Sequence, residues 1–518
     1  MQLALQLAVV AFCGALHLSD GKKPHLIFIM GDDMGYNDVG WHNKLFHTPH
    51  MDKLAKSGVI LEQYYSLPLC TPSRVALMSG IYPSLLGLQR GVLLNQEPYG
   101  IPFKYEMIPK RLKEAGYHTH QIGKWHLGYC DRRYTPLSRG FDTHLGSSMA
   151  VKKTSIIASV VTIYIQSVKN CTGVDLHDNG EVGFKHAGRY STELWTERAE
   201  EIIHKHDSES PMYIYLAYSG THFPLQAPEK YFKHCEKEVN QGRKNFCAAT
   251  AAMDIGIGKV VEALKKKGFY DNSVIFFASD NGASVTFGGN SYPLRGAKNT
   301  MWEGGMRVPS FVHSPLLKKT GYVNERLIHE VDWYPTLLHL AGLKPQPGLS
   351  GVNQWGTISK DEESKRDEFL YLMDVLGDTV IGAVRKGDWK LITGPGGSPG
   401  TVVTEAETVD NTADEKYILH HTLGKDPYDL KDHKSKLFNL KNDPYEQNDL
   451  ADKEPEKLKE LWKLADHYIK ISHEAIKLKE DPAGDPENFE DVYTDGWCEA
   501  YYDVPDLGPS SSKIHTYP

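Results

Sequence analysis

Pro24-His25-Leu26-Ile27-Phe28-Ile29-Met30-Gly31-Asp32-Asp33 is the stretch on which the fold class turns. Its apolar residues run on without alternation, as in a strand covered on both faces of a parallel sheet, and the run stops at a glycine and two carboxylates. Outward from it the same plan recurs. Ser273-Val274-Ile275-Phe276-Phe277-Ala278-Ser279 stops at Asp280-Asn281-Gly282, and Met212-Tyr213-Ile214-Tyr215-Leu216-Ala217 is followed by Gly220-Thr221-His222. A shorter run, Tyr117 to Ile122, leads into Gly123-Lys124-Trp125-His126. Ligands of open α/β sheets bind outside the carboxyl ends of the strands, so these four endings predict one convergent site. Asp-Asp-Met-Gly or Asp-Asn-Gly alone is ordinary turn and cap chemistry; the recurrence, with His and Lys at the other ends, points to function.

Helix signals fill the gaps. Thr48-Pro49 to Gly58 carries a cap, an early proline and a terminal glycine; Ile108, Leu112 and Ala115 share a face before Gly116; and Met253, Ile257, Val260 and Leu264 form a stripe ending near Gly268. Strand alternating with helix to about residue 340 predicts a large, mostly parallel sheet flanked by helices. After Gly342 the chain becomes rich in Pro and Gly, with short strand candidates at Gly382–Arg385 and Trp389–Ile392 and an amphipathic helix marked by Leu458, Leu461, Ala465 and Tyr468. Residues 343–480 are therefore read as a smaller C-terminal α+β domain and 481–518, rich in Asp, Pro, Tyr and Ser, as an extended tail.

The chain has 518 residues, with 58 Lys and Arg against 66 Asp and Glu, a net charge of −8 that argues against a general nucleic-acid binder. Hydrophobic residues at 40% and charged residues at 24% describe a folded globular chain, and seven cysteines are too few for a disulfide scaffold. The N-terminal run Met1 to Ala15 is apolar, ends in small residues before Ser19-Asp20-Gly21-Lys22, and reads as a secretory signal peptide spanning 1–21. Asn170-Cys171-Thr172 is a glycosylation acceptor in that compartment. The run Ser155 to Val168 is too short to span a bilayer and holds Thr162 and Gln166, so no transmembrane anchor is expected. Apart from Cys13 and Cys70, five cysteines remain: Cys130, Cys171, Cys235, Cys247 and Cys498. They allow at most two disulfides and one spare thiol; Cys235 and Cys247 are spaced to close a short loop, but connectivity stays open.

Leu69-Cys70-Thr71-Pro72-Ser73-Arg74 stands where a helix begins, with Pro72 in its first turn and Val75-Ala76-Leu77-Met78 continuing inward. A cysteine there meets free N–H groups and the positive end of the helix dipole, which suits a nucleophile or an anion site; a buried structural cysteine is the plainer alternative.

Cys70-Thr71-Pro72-Ser73-Arg74 matches the Cys-x-Pro-Ser-Arg signature of the type I sulfatases, and Gly123-Lys124-Trp125-His126-Leu127-Gly128 matches their second signature. Asp32-Asp33, Asp280-Asn281-Gly282, Pro293-Leu294-Arg295-Gly296 and Trp302-Glu303-Gly304-Gly305 extend the resemblance from about residue 24 to 340. Within the family the wording is most similar to the arylsulfatase B branch, the N-acetylgalactosamine-4-sulfatases. The resemblance implies an alkaline-phosphatase-like α/β fold, with residues 22–342 as catalytic domain.

It also implies that Cys70 is oxidised by the formylglycine-generating enzyme to formylglycine (3-oxoalanine), whose hydrate attacks the sulfur of a sulfate ester and then collapses to release sulfate. Asp32, Asp33, Asp280 and Asn281 offer only oxygen ligands, a hard-cation set that, with the modified Cys70, points to one calcium ion (Ca2+) rather than zinc. By resemblance Lys124 and Lys298 clamp the sulfate oxygens and Arg74 holds the hydrate. His222, helped by Lys298, protonates the leaving oxygen, and His126 takes the proton for the collapse. Lys298 is assigned by its spacing before Trp302-Glu303-Gly304-Gly305. The implied substrate is a sulfated carbohydrate, N-acetylgalactosamine 4-sulfate of chondroitin or dermatan sulfate, or alternatively a small aryl or plant-derived sulfate ester. The implied compartment is the lysosome, with secretion as the alternative.

The sequence departs from the family pattern between Thr143 and about Glu181, where Ser147 to Lys169 is rich in Ser and β-branched residues instead of aromatic and acidic ones, which leaves specificity open. Two rivals make different demands. A two-zinc phosphoesterase of the same superfamily wants a Ser or Thr nucleophile and an Asp-His pair where this chain has Asp280-Asn281. A non-catalytic binder of sulfated glycans keeps Cys70 unmodified.

Overall fold

A computed structural model of the chain describes residues 22–148, 164–166, 172–238, 240–377, 379–397, 434–476 and 479–499. The expected signal peptide, Asn170, Cys171 and most of the divergent Ser147–Lys169 stretch lie outside these residues.

The opening run forms the strand His25–Gly31, and Leu26 to Met30 are all fully buried. It lies inside a ten-stranded sheet, in parallel register with Ser273–Ser279 on one side and Met212–Ala217 on the other. His118–Lys124 and then Thr143–Ser147 continue the parallel set beyond Met212–Ala217. The sheet turns antiparallel at Ser310–His313, where it pairs with Ser273–Ser279, and beyond Thr143–Ser147, so it is mixed but parallel through its centre. Burial on both faces explains the unbroken apolar runs: each fully buried Ile, Leu or Phe contributes about 1.5–3 kcal/mol relative to exposure. Phe28, for example, stacks on Phe276 with centroids 5.9 Å apart and meets the edge of Trp333.

The helices fall where the punctuation placed them, at Pro49–Ser57, Ile108–Glu114 and, as the last turns of a longer helix, up to Lys267 with Gly268 left-handed behind it. Two local readings are corrected. Thr48 gives no side-chain cap to its helix; its hydroxyl accepts from the Gly40 N–H and donates to Asp52 instead. The fourth central strand runs on to Lys124, because Gly123 and Lys124 still pair with Gly146 and Ser147. Gly123 adopts φ 95°, and a Cβ there would stand 2.0 Å from the Ala217 carbonyl oxygen, so only glycine lets these strands approach.

A four-stranded antiparallel sheet, Glu368–Leu376, Thr379–Lys386, Trp389–Thr393 and Lys436–Asn439, forms the smaller C-terminal layer. Helix Pro455–Ile471 covers it through Leu461, Ala465 and Tyr468. The C-terminal stretch is not extended over its described part. It makes short turns at Pro482–Gly484 and Pro486–Phe489, bridges Val174 at Val492 and is tied by the Cys130–Cys498 disulfide. A second disulfide joins Cys235 to Cys247.

Candidate active site at the carboxyl ends of four adjacent strands

Because the four central strands are neighbours and parallel, their carboxyl ends open on one side of the sheet. Asp32 and Asp33 follow the central strand, and Asp280 and Asn281 follow its neighbour on one side. Thr221 and His222 follow the neighbour on the other side, and Lys124 ends the strand after that. Asp33 turns the chain in the left-handed region at φ 62°, a conformation that a short polar side chain tolerates. Thr221 donates to the Asp32 carbonyl oxygen at 2.6 Å, tying two of these ends together.

Cys70 is the first residue of the helix Cys70–Ser79, every residue of which is buried. Its Sγ lies 3.6 Å from Asp32 Oδ1 and 4.0 Å from Asp33 Oδ1, and Lys298 Nζ donates to it at 3.4 Å. Burial pushes the thiol up, but Lys124 and Lys298 outweigh it and hold Cys70 down at about 7. The cysteine is thus far more acidic than an inert core thiol.

Three cations interleave with three carboxylates. Lys124 Nζ donates to both oxygens of Asp32 at 3.0 and 2.7 Å, and Lys298 Nζ to Asp33 Oδ1. Arg74 donates through Nε and Nη2 to Asp280 Oδ2 at 3.1 and 2.9 Å, and through Nη1 to the Lys124 carbonyl and the Tyr215 hydroxyl. Asp280 is pushed well above the usual carboxylate range by burial and by Asp32 and Cys70, whereas Lys124, His222 and Arg74 overcome burial and hold Asp32 well below it. Crowded, desolvated carboxylates of this kind favour a bound cation. Asp32, Asp33, Cys70 and His222 each offer a ligand atom, all within 4.8 Å of one another. Asn281 donates its amide to Asp33 Oδ1 at 2.8 Å, while its side-chain oxygen is buried with no hydrogen-bond partner, so this oxygen could hold a cation.

The two histidines are set oppositely. His222 lies 3.9 Å from Asp33 Oδ2 and its Nδ1 is 2.6 Å from the Phe223 carbonyl, which can only accept, so Nδ1 carries a proton. Burial draws His222 down, but Asp33, with Asp32, raises it overall and favours the charged, acid form. His126 is held well below its usual range by burial, with Lys124 and Arg74 adding to it, and stays neutral. Its Nε2 meets the Leu93 carbonyl at 3.1 Å, which leaves Nδ1 as the unprotonated nitrogen, buried and without a partner. Its backbone is left-handed at φ 61°, an uncommon state for histidine that its surroundings must hold.

Of the site residues read from the sequence, Asp32, Asp33, Cys70, Arg74, Lys124, His222, Asp280, Asn281 and Lys298 converge here, and His126 follows two residues after Lys124, its carbonyl accepting from the Thr71 hydroxyl beside Cys70. Sequence reading missed Tyr215, concealed in an apolar strand, whose hydroxyl anchors Arg74. It also missed Glu330, a fully buried carboxyl near Asp280 and Arg74 that burial holds well above its usual range. Neither residue type carries a local pattern that separates it from core.

The sulfatase family profile matches residues 24–343. Arylsulfatase J of Mus musculus is 38% identical over 487 residues, 90% of this chain and 79% of that protein. N-acetylgalactosamine-6-sulfatase of Homo sapiens is 29% identical over 428 residues, 78% of this chain and 80% of that protein. Among solved structures, Ps i-CgsB in complex with k-i-k-neocarrahexaose superposes with a TM-score of 0.73 at 29% identity, covering 89% of this chain and 96% of that one. A profile match across most of the chain, together with a relative this similar, means that the chain belongs to the sulfatase family and is a hydrolase of sulfate esters.

Proposed function

We propose that this sulfatase works through a formylglycine derived from Cys70, with one calcium ion, on sulfated N-acetylgalactosamine at the ends of chondroitin or dermatan sulfate chains. The observation that carries the catalytic part is the buried, acidified Cys70 at a helix start, ringed by three carboxylates and three cations.

Asp32, Asp33, Asp280 and Asn281 would hold the calcium, and their donor set fits it: carboxylate oxygens and an amide oxygen without a hydrogen-bond partner. When bound, calcium and the aldehyde hydrate of Cys70 supply charge neutralisation and the nucleophile. The chain's own residues do the rest. Lys124 and Lys298 bind the sulfate oxygens, fixed by their carboxylate partners so that no reorganisation is needed as charge develops. Arg74, immobilised by Asp280 and Tyr215, positions the nucleophile. His222, charged and held by Phe223 and Asp33, delivers its proton to the leaving oxygen; His126, neutral with Nδ1 free, receives one.

The acid role has a measurable consequence. His222→Ala should lower kcat about 100- to 10,000-fold on sulfate esters of sugar alcohols, whose leaving oxygen needs a proton, and much less on a nitrophenyl sulfate, whose phenolate departs unprotonated. Equal losses on both substrates would remove His222 from that role.

The substrate assignment rests on the resemblance of the signature segments to the arylsulfatase B branch and on the similarity to an N-acetylgalactosamine sulfatase. Its test is a comparison of kcat/KM on oligosaccharides ending in N-acetylgalactosamine 4-sulfate, on their 6-sulfate isomers and on small aryl sulfates. The 4-sulfate is expected to lead; a lead for the 6-sulfate or for aryl sulfates alone reassigns the substrate. The two disulfides fit maturation in the oxidising secretory route, and we assign the enzyme to the lysosome, with an acidic optimum. No helix among the described residues is long and apolar enough to cross a membrane.

A further inference from the structure

At the opposite, N-terminal ends of the same strands, roughly 20 Å from the catalytic residues at about 3.3 Å per residue, four imidazoles gather: His25, His118, His120 and His206. His118 and His120 are two apart on one strand and so project to the same face. Together with His206 they line a groove of about 490 Å³, wide enough for an ion and its remaining waters. The ring centroids of His118 and His120 lie 5.6 and 6.5 Å from that of His206. Two imidazoles on one ion, each with about 2.0–2.1 Å from nitrogen to metal, bring their centroids about 5 Å apart.

The hydrogen bonds leave a lone pair on His206 and one unengaged nitrogen on His120. His206 Nε2 is 2.8 Å from the Ser210 carbonyl, which can only accept, so Nε2 carries the proton and Nδ1 is bare. His120 Nδ1 is 2.8 Å from the Thr143 hydroxyl, and its Nε2 is buried with no partner. His118 Nδ1 faces Asp142 Oδ2 at 3.9 Å, beyond hydrogen-bond distance, and its side chain is 55% exposed. On His120 and His206 one nitrogen is held by a hydroxyl or a carbonyl and the other is left open, the arrangement of ligating histidines. His25 backs the cluster: its Nδ1 accepts the Met212 N–H and its ring packs, tilted, against Phe269 with centroids 4.3 Å apart. The cations of the groove do not compete for an anion, since Lys185 and Arg198 are paired with Asp178 and Lys205 with Glu201.

We propose that His118, His120 and His206 form a second metal site, for a borderline transition-metal ion such as Zn2+, which pins the strand His118–Lys124 to the loop before Met212 and is independent of the calcium site. Three nitrogen donors select this class of ion over calcium, with water or the neighbouring Asp207 completing the shell. The open nitrogens do not all lie within 4.8 Å of one another as they stand, so the site closes by rotation of His118.

The test is equilibrium dialysis of the full-length secreted enzyme against Zn2+ in excess Ca2+, with metal analysis and thermal unfolding. The result expected is one zinc per chain and a zinc-dependent rise in Tm. Both should be lost, or weakened at least about tenfold in zinc concentration, in His118→Ala and in His206→Ala, with aryl sulfate hydrolysis retained in both. Cobalt in place of zinc should give d–d bands without a thiolate charge-transfer band, which separates this site from Cys70. Absence of zinc uptake in calcium, or uptake undiminished in both variants, overturns the proposal. Because His118 is half exposed, its alanine variant stays informative even if His206→Ala folds poorly.

Discussion

Cys70→Ala is expected to abolish sulfate release, by at least about 10,000-fold in kcat/KM, while leaving the fold close to wild type. Cys70 is fully buried, yet its sulfur makes only long contacts, at 3.4, 3.6 and 4.0 Å, and Lys298 keeps its bond to Asp33 without it. The loss should therefore be chemical rather than structural. The companion measurement is peptide mass spectrometry on wild-type protein from a eukaryotic secretory host, where the fragment holding Cys70 should be lighter than the thiol by about 18 mass units. An unmodified thiol and no turnover, in a host that modifies a control sulfatase, would remove the nucleophile and favour the non-catalytic binder. Turnover that survives Cys70→Ala would sink the assignment of the nucleophile itself.

The second large effect lies between the two layers of the molecule. Lys390, on the small sheet, places Nζ 3.0 Å from Glu303 and 2.8 Å from Glu446, and all three side chains are fully buried. Tyr65 and Tyr371 donate to Glu303 at 2.7 and 2.9 Å, the Glu303 N–H donates to Glu446 at 2.7 Å, and Arg385 reaches Tyr65. Replacing Lys390 with methionine leaves two desolvated carboxylates facing each other and should cost about 3–5 kcal/mol of stability. Adding Glu446→Gln to Lys390→Met should recover part of that loss, since one of the facing charges is gone. Chemical denaturation of the two variants and wild type measures both; an unchanged midpoint in Lys390→Met would refute the triad as a stabilising contact.

The triad also sets a pH dependence. Burial raises Glu446 to about 7 from a usual 4.5, with Lys390 opposing and Glu303 adding to the rise, so the folded state holds its proton more tightly than the unfolded chain. The stability this contributes is fully present below about 4.5 and is lost as pH rises through 7. Glu303, raised by burial but drawn down to about 2 by Lys390, Arg385 and Arg307, contributes in the other sense and loses its part only as pH falls toward 2. Glu446→Gln should therefore flatten the decline in stability expected of wild type as pH rises from about 5 through 7, which chemical denaturation across that range measures.

Much of this protein was legible in its residues. The unbroken apolar runs implied strands buried on both faces, hence a parallel sheet, hence a site at its carboxyl edge; and that edge is where Asp32, Asp33, Lys124, His222, Asp280 and Asn281 stand. The Cys70 helix start and the catalytic signatures are local patterns, and local patterns survive folding unchanged. The short strands around Val384 and Leu391 were readable for the same reason.

What only the tertiary structure decided is which polar group meets which. Arg74 finds Asp280 across 206 positions of sequence, Cys130 finds Cys498 across 368, and Lys390 meets Glu303 and Glu446 from separate layers. Tyr215 and His120 sit in strands whose patterns mark them as core, and their roles come from neighbours supplied by other elements. The physical reason is one of range. Side-chain period and terminal residues report which face of an element avoids water, a property of a few consecutive residues, whereas the partner of a buried charge is fixed by strand order and sheet docking, which the whole core determines at once.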